Sequence, residues 1–212
     1  MKSIVKGPEP DEFAQWKAKA NADWQPTYDN LSGETKRAVK SALMREQGYI
    51  CCYCERRLLD DDSHIEHFKP QSDSLVDPLD FSNMLCSCQD KIKRGVPRHC
   101  GNLKGGWFDE QMLVSPLTID CAARFAFMGD GKIQAADPTD EAAKTTIIKL
   151  GLGIPKVNAL RKDAIALFLD PILNEDEMNR FVSGYLMQDD QTGVLAEFWT
   201  TIHYLFKDYA TP

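Results

Sequence analysis

Cysteines and histidines that could bind metal are concentrated in one short stretch of this chain. Six of the seven cysteines and three of the four histidines lie between residues 51 and 100. In a reducing compartment such clustering indicates metal binding rather than disulfide bonds, and the odd number argues against complete pairing. Cys51 and Cys54 have the C-x2-C spacing that lets two thiolates reach one tetrahedral metal from a tight turn.

Two more ligands are needed to complete such a site. Cys88 and Cys100 are the natural pair, with Cys86 as an alternative to Cys88. A metal held by four sulfurs has no open position, so these cysteines predict a structural zinc ion. Cys52 and Cys121 are then expected to be ordinary small buried residues.

A second group of reactive residues lies in the segment 64–72, HIEHFKPQS. In an extended strand Glu66 and His67 point to opposite faces, so one can hold a metal while the other accepts a proton from water. Taken alone, a Glu-His pair more often belongs to an exposed charged strand. His64 alternates with Glu66 along the strand; a metal role and a structural role are both open for it, the structural one being the more frequent.

The segments 80–88 (DFSNMLCSC) and 99–105 (HCGNLKG) complete a recognisable order of motifs. Asn83 is predicted to open a helix. The order of motifs over residues 51–105 resembles the HNH endonuclease family with its ββα-metal fold. It consists of a C-x2-C pair, a Glu-His-x-x-Pro-x-Ser box, this asparagine, and a cysteine close to Asn and Lys.

The resemblance extends over most of the chain to the HNH subunit of Septu-type and retron-associated antiphage systems. It is carried further by the N-terminal segment and by the runs 99–108 (HCGNLKGGWF) and 113–117 (LVSPL). The resemblance implies an ABC-type, SMC-like ATPase as partner, and a retron reverse transcriptase with its DNA as a further one.

Roles for single residues follow from the resemblance. His67 would be the general base, since an imidazole can take a proton from water near neutral pH. Glu66 would bind a catalytic Mg2+ or Mn2+, and Asn102 would supply its second ligand from the third motif position. Asn83 would orient the loop that carries His67.

Two departures from the family pattern leave the third motif position open. The second zinc pair is usually a compact C-x2-C, whereas eleven residues separate Cys88 from Cys100. The usual lysine follows the metal ligand by three places, but Lys104 follows Asn102 by two. Gln89 and His99 are therefore alternatives to Asn102.

The formal net charge of -7 is unusual for a protein that would bind nucleic acid by itself, because affinity for nucleic acid rests largely on lysine and arginine. One segment is locally basic despite the acidic net charge; its basic residues are Lys91, Lys93, Arg94, Arg98 and Lys104. It is either a solvated loop or a local contact for the phosphate backbone. With no long apolar run and no secretory signal, a cytoplasmic location without membrane contact is expected.

The pattern of apolar residues predicts two helical parts, and the resemblance implies a zinc-stapled ββα-metal (HNH) core between them, which together make an α+β fold. Helices are expected over 11–20, 34–47, 139–150, 155–169, 176–187 and 195–209, with a hairpin over 122–136. The predicted divisions are 1–49 (N-terminal helical segment), 50–137 (nuclease core) and 138–212 (C-terminal helical region, a candidate for partner docking).

The sequence therefore favours a metal-dependent HNH endonuclease that hydrolyses DNA phosphodiester bonds, as the effector of an antiphage complex. The alternative is a non-catalytic zinc module that docks a partner protein or a nucleic acid. Such a module would share the four cysteines but would not need Glu66 and His67 together with Asn83.

Overall fold

The structure is a computed structural model that describes residues 1–92, 94–169 and 173–210. It combines helices with two small antiparallel sheets, as an α+β fold requires. The α-helices are α1 (Asp11–Lys17), α2 (Gly33–Glu46), α3 (Gly101–Lys104), α4 (Glu141–Lys149), α5 (Pro155–Ala166), α6 (Glu175–Leu186) and α7 (Trp199–Phe206). The strands are β1 (Ser63–His67), β2 (Met84–Cys88), β3 (Phe125–Phe127) and β4 (Ile133–Ala135).

β1 and β2 form the antiparallel pair that carries the motif residues. Ser63 lies opposite Cys88, and His67 lies opposite Met84. Every residue of β2 is buried, because α2 packs over this pair with an apolar face that includes Val39 and Leu43.

The end of α2 is fixed to β2 by a reciprocal pair of hydrogen bonds. The side chain of Gln47 donates to the carbonyl of Cys86 at 2.8 Å and accepts from its N–H at 2.7 Å. A buried amide with both groups satisfied in this way sets the position of the helix relative to the strand. The chain that leaves α2 therefore starts its next turn at a defined place beside β2.

The predicted helices and the predicted hairpin are confirmed with small shifts at their ends. The hairpin is β3 and β4, with Phe125 opposite Ala135. Asp140 caps α4 by accepting a hydrogen bond from the N–H of Ala143 at 2.9 Å, as an aspartate before a helix should.

Two local predictions are wrong. Asn83 ends a 3-10 turn, Phe81–Asn83, and the next residue begins β2 rather than a helix. Pairing with β1 and complete burial outweigh any local helix preference in Met84–Cys88. The last helix begins at Trp199 rather than at residue 195, because Phe198 adopts a left-handed conformation (φ 53°) and its N–H bonds to the carbonyl of Glu55 at 3.0 Å.

The core consists of two apolar clusters. The larger one runs from the N-terminus to α5 and encloses all the cysteines, so Cys52 and Cys121 are buried as expected. The smaller one joins α5, α6 and α7 around Ile165, Phe168 and Ile202. Among the described residues no helix has both the length and the apolar character needed to cross a bilayer.

Candidate active site and metal centre

Four cysteine sulfurs meet in one buried cluster. The Sγ atoms of Cys51, Cys54, Cys88 and Cys100 all lie within 4.8 Å of one another, and all four residues are buried. The first two come from the turn after α2, the third ends β2, and the fourth precedes α3. This cluster could hold a metal ion, and a set of four sulfur donors is typical of structural zinc.

The backbone around the cluster directs its polar groups at the sulfurs. The N–H of Cys88 donates to the Sγ of Cys51 at 3.5 Å. A residue with positive φ follows the turn at Glu55 (64°), and another is Cys100 itself (56°). These left-handed residues let the chain reverse sharply enough to bring both pairs of thiols to one point.

The cluster favours partial ionisation of its own thiols. Burial opposes the thiolate of Cys51, but hydrogen bonds from Cys100 and its other thiol neighbours outweigh burial and hold the pKa of Cys51 well below its usual range. Similar contacts outweigh burial at Cys54 and lower its pKa to about 7. Burial and the neighbouring sulfurs raise the pKa of Cys100. A divalent cation would let all four sulfurs carry charge, because it removes the repulsion between them.

Cys86, the alternative to Cys88, and His99, an alternative to Asn102, both lie beside the sulfur cluster rather than in it. Cys86 pairs with Ile65 in the sheet, and burial raises the pKa of its thiol to about 12. His99 is fully buried with its Nδ1 atom 3.1 Å from the Sγ of Cys100 and 3.8 Å from that of Cys88. This ring borders the cluster and is placed to hydrogen-bond to its sulfurs.

Glu66 lies on β1 with its two oxygens in different surroundings. Its Oε1 atom accepts a hydrogen bond from the hydroxyl of Tyr53 at 3.1 Å and lies 2.8 Å from the Nζ of Lys104. Its Oε2 atom lies 3.7 Å from the Nε2 of His64. Burial alone would raise the pKa of Glu66, but His64 and Lys104 outweigh burial and hold the pKa below its usual range. The buried side chain is therefore a carboxylate at neutral pH.

Lys104 is a buried partner of this carboxylate and is not part of an exposed basic surface. Only 3% of the residue is exposed, and its Nζ also donates to the carbonyl of His67 at 3.0 Å. This corrects the basic segment inferred from the sequence. Lys91, Arg94 and Arg98 are exposed, and Lys93 lies outside the described residues.

His67 ends β1 with both ring nitrogens in hydrogen bonds. Its Nε2 atom lies 2.9 Å from the carbonyl oxygen of Pro78, and its Nδ1 atom lies 3.0 Å from the side-chain nitrogen of Gln71. Because an amide nitrogen and a carbonyl oxygen have fixed roles, Nε2 carries the proton and Nδ1 accepts. Burial lowers the pKa of His67, although Pro78 and the charge of Glu66 oppose it. The ring is a neutral imidazole whose Nδ1 electron pair accepts the hydrogen bond from Gln71.

A cleft of about 240 Å³ brings Glu66 and His67 to a common surface. Gln71 and Ser72 line one side of it, and Lys104 lines the floor together with Gly105 and Gly106. A carboxylate and a neutral imidazole at one cleft can bind a cation and accept a proton, respectively.

Asn83 binds the chain just after His67. Its side chain accepts a hydrogen bond from the N–H of Lys69 at 2.8 Å and donates to the carbonyl of the same residue at 2.9 Å. The carbonyl of Asn83 also accepts from the N–H of Phe68 at 3.0 Å. These bonds fix the path of the segment that follows the strand.

The three candidates for the third motif position bond to one another. The amide of Asn102 donates to the carbonyl of Gln89, whose own side chain accepts from the N–H of His99 at 2.9 Å and donates to Pro97 at 3.1 Å. Within residues 1–92, 94–169 and 173–210, no hydrogen bond joins any of the three to Glu66. The residue of α3 that approaches the carboxylate is Gly101: a Cβ atom there would overlap the Oε2 of Glu66.

Comparison with known proteins finds two curated relatives of this chain. The sequence matches no protein-family model. It is 30% identical over 137 residues to the "Retron Vc95 putative HNH endonuclease" of Vibrio cholerae serotype O1 biovar El Tor, covering 61% of this chain and 64% of that protein. It is 32% identical over 148 residues to the "Retron Ec83 putative HNH endonuclease" of Escherichia coli, covering 59% of this chain and 57% of that protein. The chain is thus similar to two proteins that are named as putative HNH endonucleases. It spans less than two thirds of the length of either curated relative.

The HNH pattern alone did not reveal three features of the site: the ion pair of Lys104 with Glu66, the hydroxyl of Tyr53 on the same carboxylate, and the close approach of Gly101. One signal was available for the first, since Lys104 stands one place closer to Asn102 than the HNH pattern expects. Nothing in the sequence marks Tyr53 or Gly101, because an aromatic residue and a glycine beside cysteines are equally typical of a zinc turn.

Proposed function

We propose that this chain is a metal-dependent HNH endonuclease that hydrolyses DNA phosphodiester bonds as the effector of an antiphage complex with an ABC-type ATPase. The observation that carries the proposal is the pair Glu66 and His67. They are adjacent on β1, they share one cleft, and their environments make one a carboxylate and the other a neutral base.

His67 is the proposed general base. The carbonyl of Pro78 holds the proton of the ring on Nε2, so Nδ1 is the atom that receives a proton from water. Gln71 donates to that atom in this structure, and a water that is to be activated takes the place of its amide. Gln71 is an exposed residue in the loop after Pro70, and it lines the cleft.

Glu66 is the proposed ligand of a hard divalent ion such as Mg2+ or Mn2+. Tyr53 and Lys104 both bind its Oε1 atom, which leaves Oε2 for the ion. Because Gly101 has no side chain, α3 does not cover Oε2, which a Cβ atom at that position would overlap. When bound, the ion would neutralise charge on the scissile phosphate and the leaving oxygen.

The cysteine cluster is the proposed structural zinc site. It joins the turn after α2, the end of β2 and the start of α3. These are the segments that surround Glu66, so the zinc would hold the carboxylate and its neighbours in register. Four sulfur ligands leave no position for water, so the chemistry belongs to the cleft.

The ATPase partner is supported by the resemblance alone, and a retron context is supported by the resemblance and by the names of the two relatives. The net charge of -7 also favours a partner that shares the binding of DNA. The exposed cations Lys91, Arg94 and Arg98 would supply the local contact with phosphates.

The test is the substitution His67→Ala, assayed by nicking of supercoiled DNA with Mg2+ or Mn2+ in the presence of the co-encoded ATPase. Removal of a general base is expected to lower the rate by about a hundredfold or more. His203→Ala is the matched control, because His203 is exposed on α7 and stacks on Trp199 with 5.0 Å between ring centroids. Equal cleavage by the His67 variant and the control would remove His67 from the mechanism.

One observation favours the alternative, a zinc module that only docks a partner or a nucleic acid. Both nitrogens of His67 already have partners within the protein, as in a histidine with a structural role. The same assay separates the two functions. Zinc-loaded protein that binds DNA but does not cleave it, with the ATPase and either ion present, would favour the docking module.

A further inference from the structure

We propose that His64 is the second protein ligand of the divalent ion at Glu66, so that both protein ligands come from β1 and none comes from α3. The inference deepens the proposed nuclease function and rests on it for the use of the ion, though not for its binding.

His64 and Glu66 are two residues apart on one strand and therefore share a face. The Nε2 atom of the imidazole lies 3.7 Å from the Oε2 atom of the carboxylate. Bonds from metal ions to nitrogen and oxygen donors are roughly 2.0–2.2 Å long. Two donors at this separation can therefore bind one ion without a change of backbone.

Gly101 accounts for the space in which the two side chains meet. A Cβ atom on Gly101 would lie 2.9 Å from the Nε2 of His64 and closer still to the Oε2 of Glu66. Any residue other than glycine would thus place its side chain on the two donor atoms. At this point α3 contributes only its backbone, and β1 supplies both ligands, His64 and Glu66.

The other ring nitrogen of His64 does not fix the ring to the protein. In the part of the chain that the structure describes, the buried Nδ1 atom has no hydrogen-bond partner. A structural histidine and a metal-bound one both normally have this nitrogen satisfied, so the argument rests on Nε2. The close polar contact of this ring is the one with Glu66, which is what a ligand requires.

Asn102, the ligand inferred from the family resemblance, has a different contact. Its amide nitrogen donates to the carbonyl of Gln89, in the loop that runs from β2 to the cysteine before α3. This bond fixes the loop, and Asn102 would have to break it to reach the carboxylate. His64 needs no such change.

The donor set predicts a metal preference. One imidazole nitrogen beside one carboxylate oxygen is softer than a pair of oxygens, so a transition ion such as Mn2+ should bind more tightly than Mg2+. His64→Asp would restore a set of two oxygens and should shift the preference toward Mg2+.

The experiment is a titration of zinc-loaded protein with Mn2+, followed by electron paramagnetic resonance of the free ion. His64→Ala and Glu66→Gln are each expected to weaken Mn2+ binding by about tenfold or more. Asn102→Ala and the distant control His203→Ala should bind Mn2+ like the unchanged protein. Undiminished Mn2+ binding by His64→Ala, or a loss in Asn102→Ala alone, would overturn the assignment.

Two further variants guard against a failure to fold, which zinc content and thermal unfolding would reveal. Gly101→Ala removes no donor but fills the shared space, and should also weaken Mn2+ binding. His64→Asp keeps a ligand at the position and should retain binding of a divalent ion. If both variants fold and bind Mn2+ as the unchanged protein does, with no gain in affinity for Mg2+, the proposal is wrong.

The titration also separates this inference from the nuclease function. If Mn2+ binding depends on His64 and Glu66 but the protein never cleaves DNA, the metal site is supported and the proposed nuclease function is contradicted. If cleavage depends on His67 but Mn2+ binding is unchanged in His64→Ala, the nuclease function is supported and His64 is not the second ligand.

Discussion

The ion pair between Lys104 and Glu66 shows how much of the site depends on single buried charges. The side chains are 1% and 8% exposed, and the Nζ and Oε1 atoms lie 2.8 Å apart. Two charges in such a place each lose hydration, and the pair is tolerated because every group has partners. Lys104 also donates to the carbonyl of His67, so one cation holds the carboxylate and the adjacent backbone together.

Replacing that cation should therefore be costly at the scale of one residue. Lys104→Met is expected to destabilise the protein by about 3 kcal/mol, because it leaves Glu66 as a buried, poorly compensated charge. Urea unfolding of zinc-loaded protein measures the change. The matched control is Lys144→Met, which removes an exposed pair with Glu141 and should change stability by less than about 0.5 kcal/mol. Equal effects of the two variants would contradict the buried role of Lys104.

At this scale the sequence predicted residue types better than contacts. The four cysteines of the cluster could be predicted from the sequence, because the C-x2-C spacing and the need for four sulfur ligands identify a tetrahedral site without knowledge of the fold. The partners of Glu66 could not be chosen, because Tyr53 and Lys104 reach it from segments 13 and 38 positions away in the chain. Gly101 is important because a side chain there would overlap Glu66, and the HNH motif does not indicate this requirement.

Among the secondary-structure elements, the hairpin β3–β4 and the helix α4 are joined by one charged contact. Arg124, just before β3, binds both oxygens of Asp140 at 2.8 and 2.5 Å, and the same carboxylate caps α4. The hydrogen bonds from Arg124 outweigh partial burial and lower the pKa of Asp140. The carboxylate therefore stabilises the fold at every pH above its unfolded pKa, and this stabilisation is lost as the pH falls through the lower folded pKa.

A pair of substitutions separates the cap from the ion pair. Asp140→Asn keeps a capping oxygen and should lose about 0.5–1 kcal/mol at pH 7, whereas Asp140→Ala loses both contacts and should cost about 1–2 kcal/mol. Thermal unfolding from pH 7 down to about pH 2 should show a constant gap above about pH 4, with the Asn variant approaching the unchanged protein only below it. Asp163→Asn, at an exposed position of α5, is the control. A gap that widens toward low pH would contradict the sign of the pKa shift.

The elements that the sequence predicted well are those that local signals define. α4 has an aspartate cap, and α2 has an apolar face with a glycine after its end. β2 was assigned to a helix because its reason for being a strand is its pairing with β1, some twenty residues earlier. The short α3 was missed for a related reason: it is a single turn held by the segments around it.

For the molecule as a whole, the cysteine cluster brings together the turn after α2, the end of β2 and the start of α3. It lies within the larger apolar cluster, next to the packing of α2 on β2. A structural zinc contributes roughly 10 kcal/mol or more, which is comparable to the entire stability of a domain.

Removal of zinc should therefore unfold much of the molecule. One zinc per chain is expected by metal analysis, and strong chelators or Cys88→Ser should lower the unfolding temperature by more than about 10 °C. Cys121→Ala is the control, because this buried thiol lies outside the cluster and should leave the zinc content unchanged. Full stability after verified loss of all metal would contradict a structural role for the cluster.

The position of β1 relative to the sulfurs has a consequence for how activity would be lost. The strand lies between Cys54 and Cys88, so an ion that binds both closes a loop around the proposed reacting groups. Release of that ion would free the two ends of this loop in the same event. Damage to Cys54 or Cys88 should thus abolish the proposed activity in a single step, and a population of partly impaired molecules is not expected.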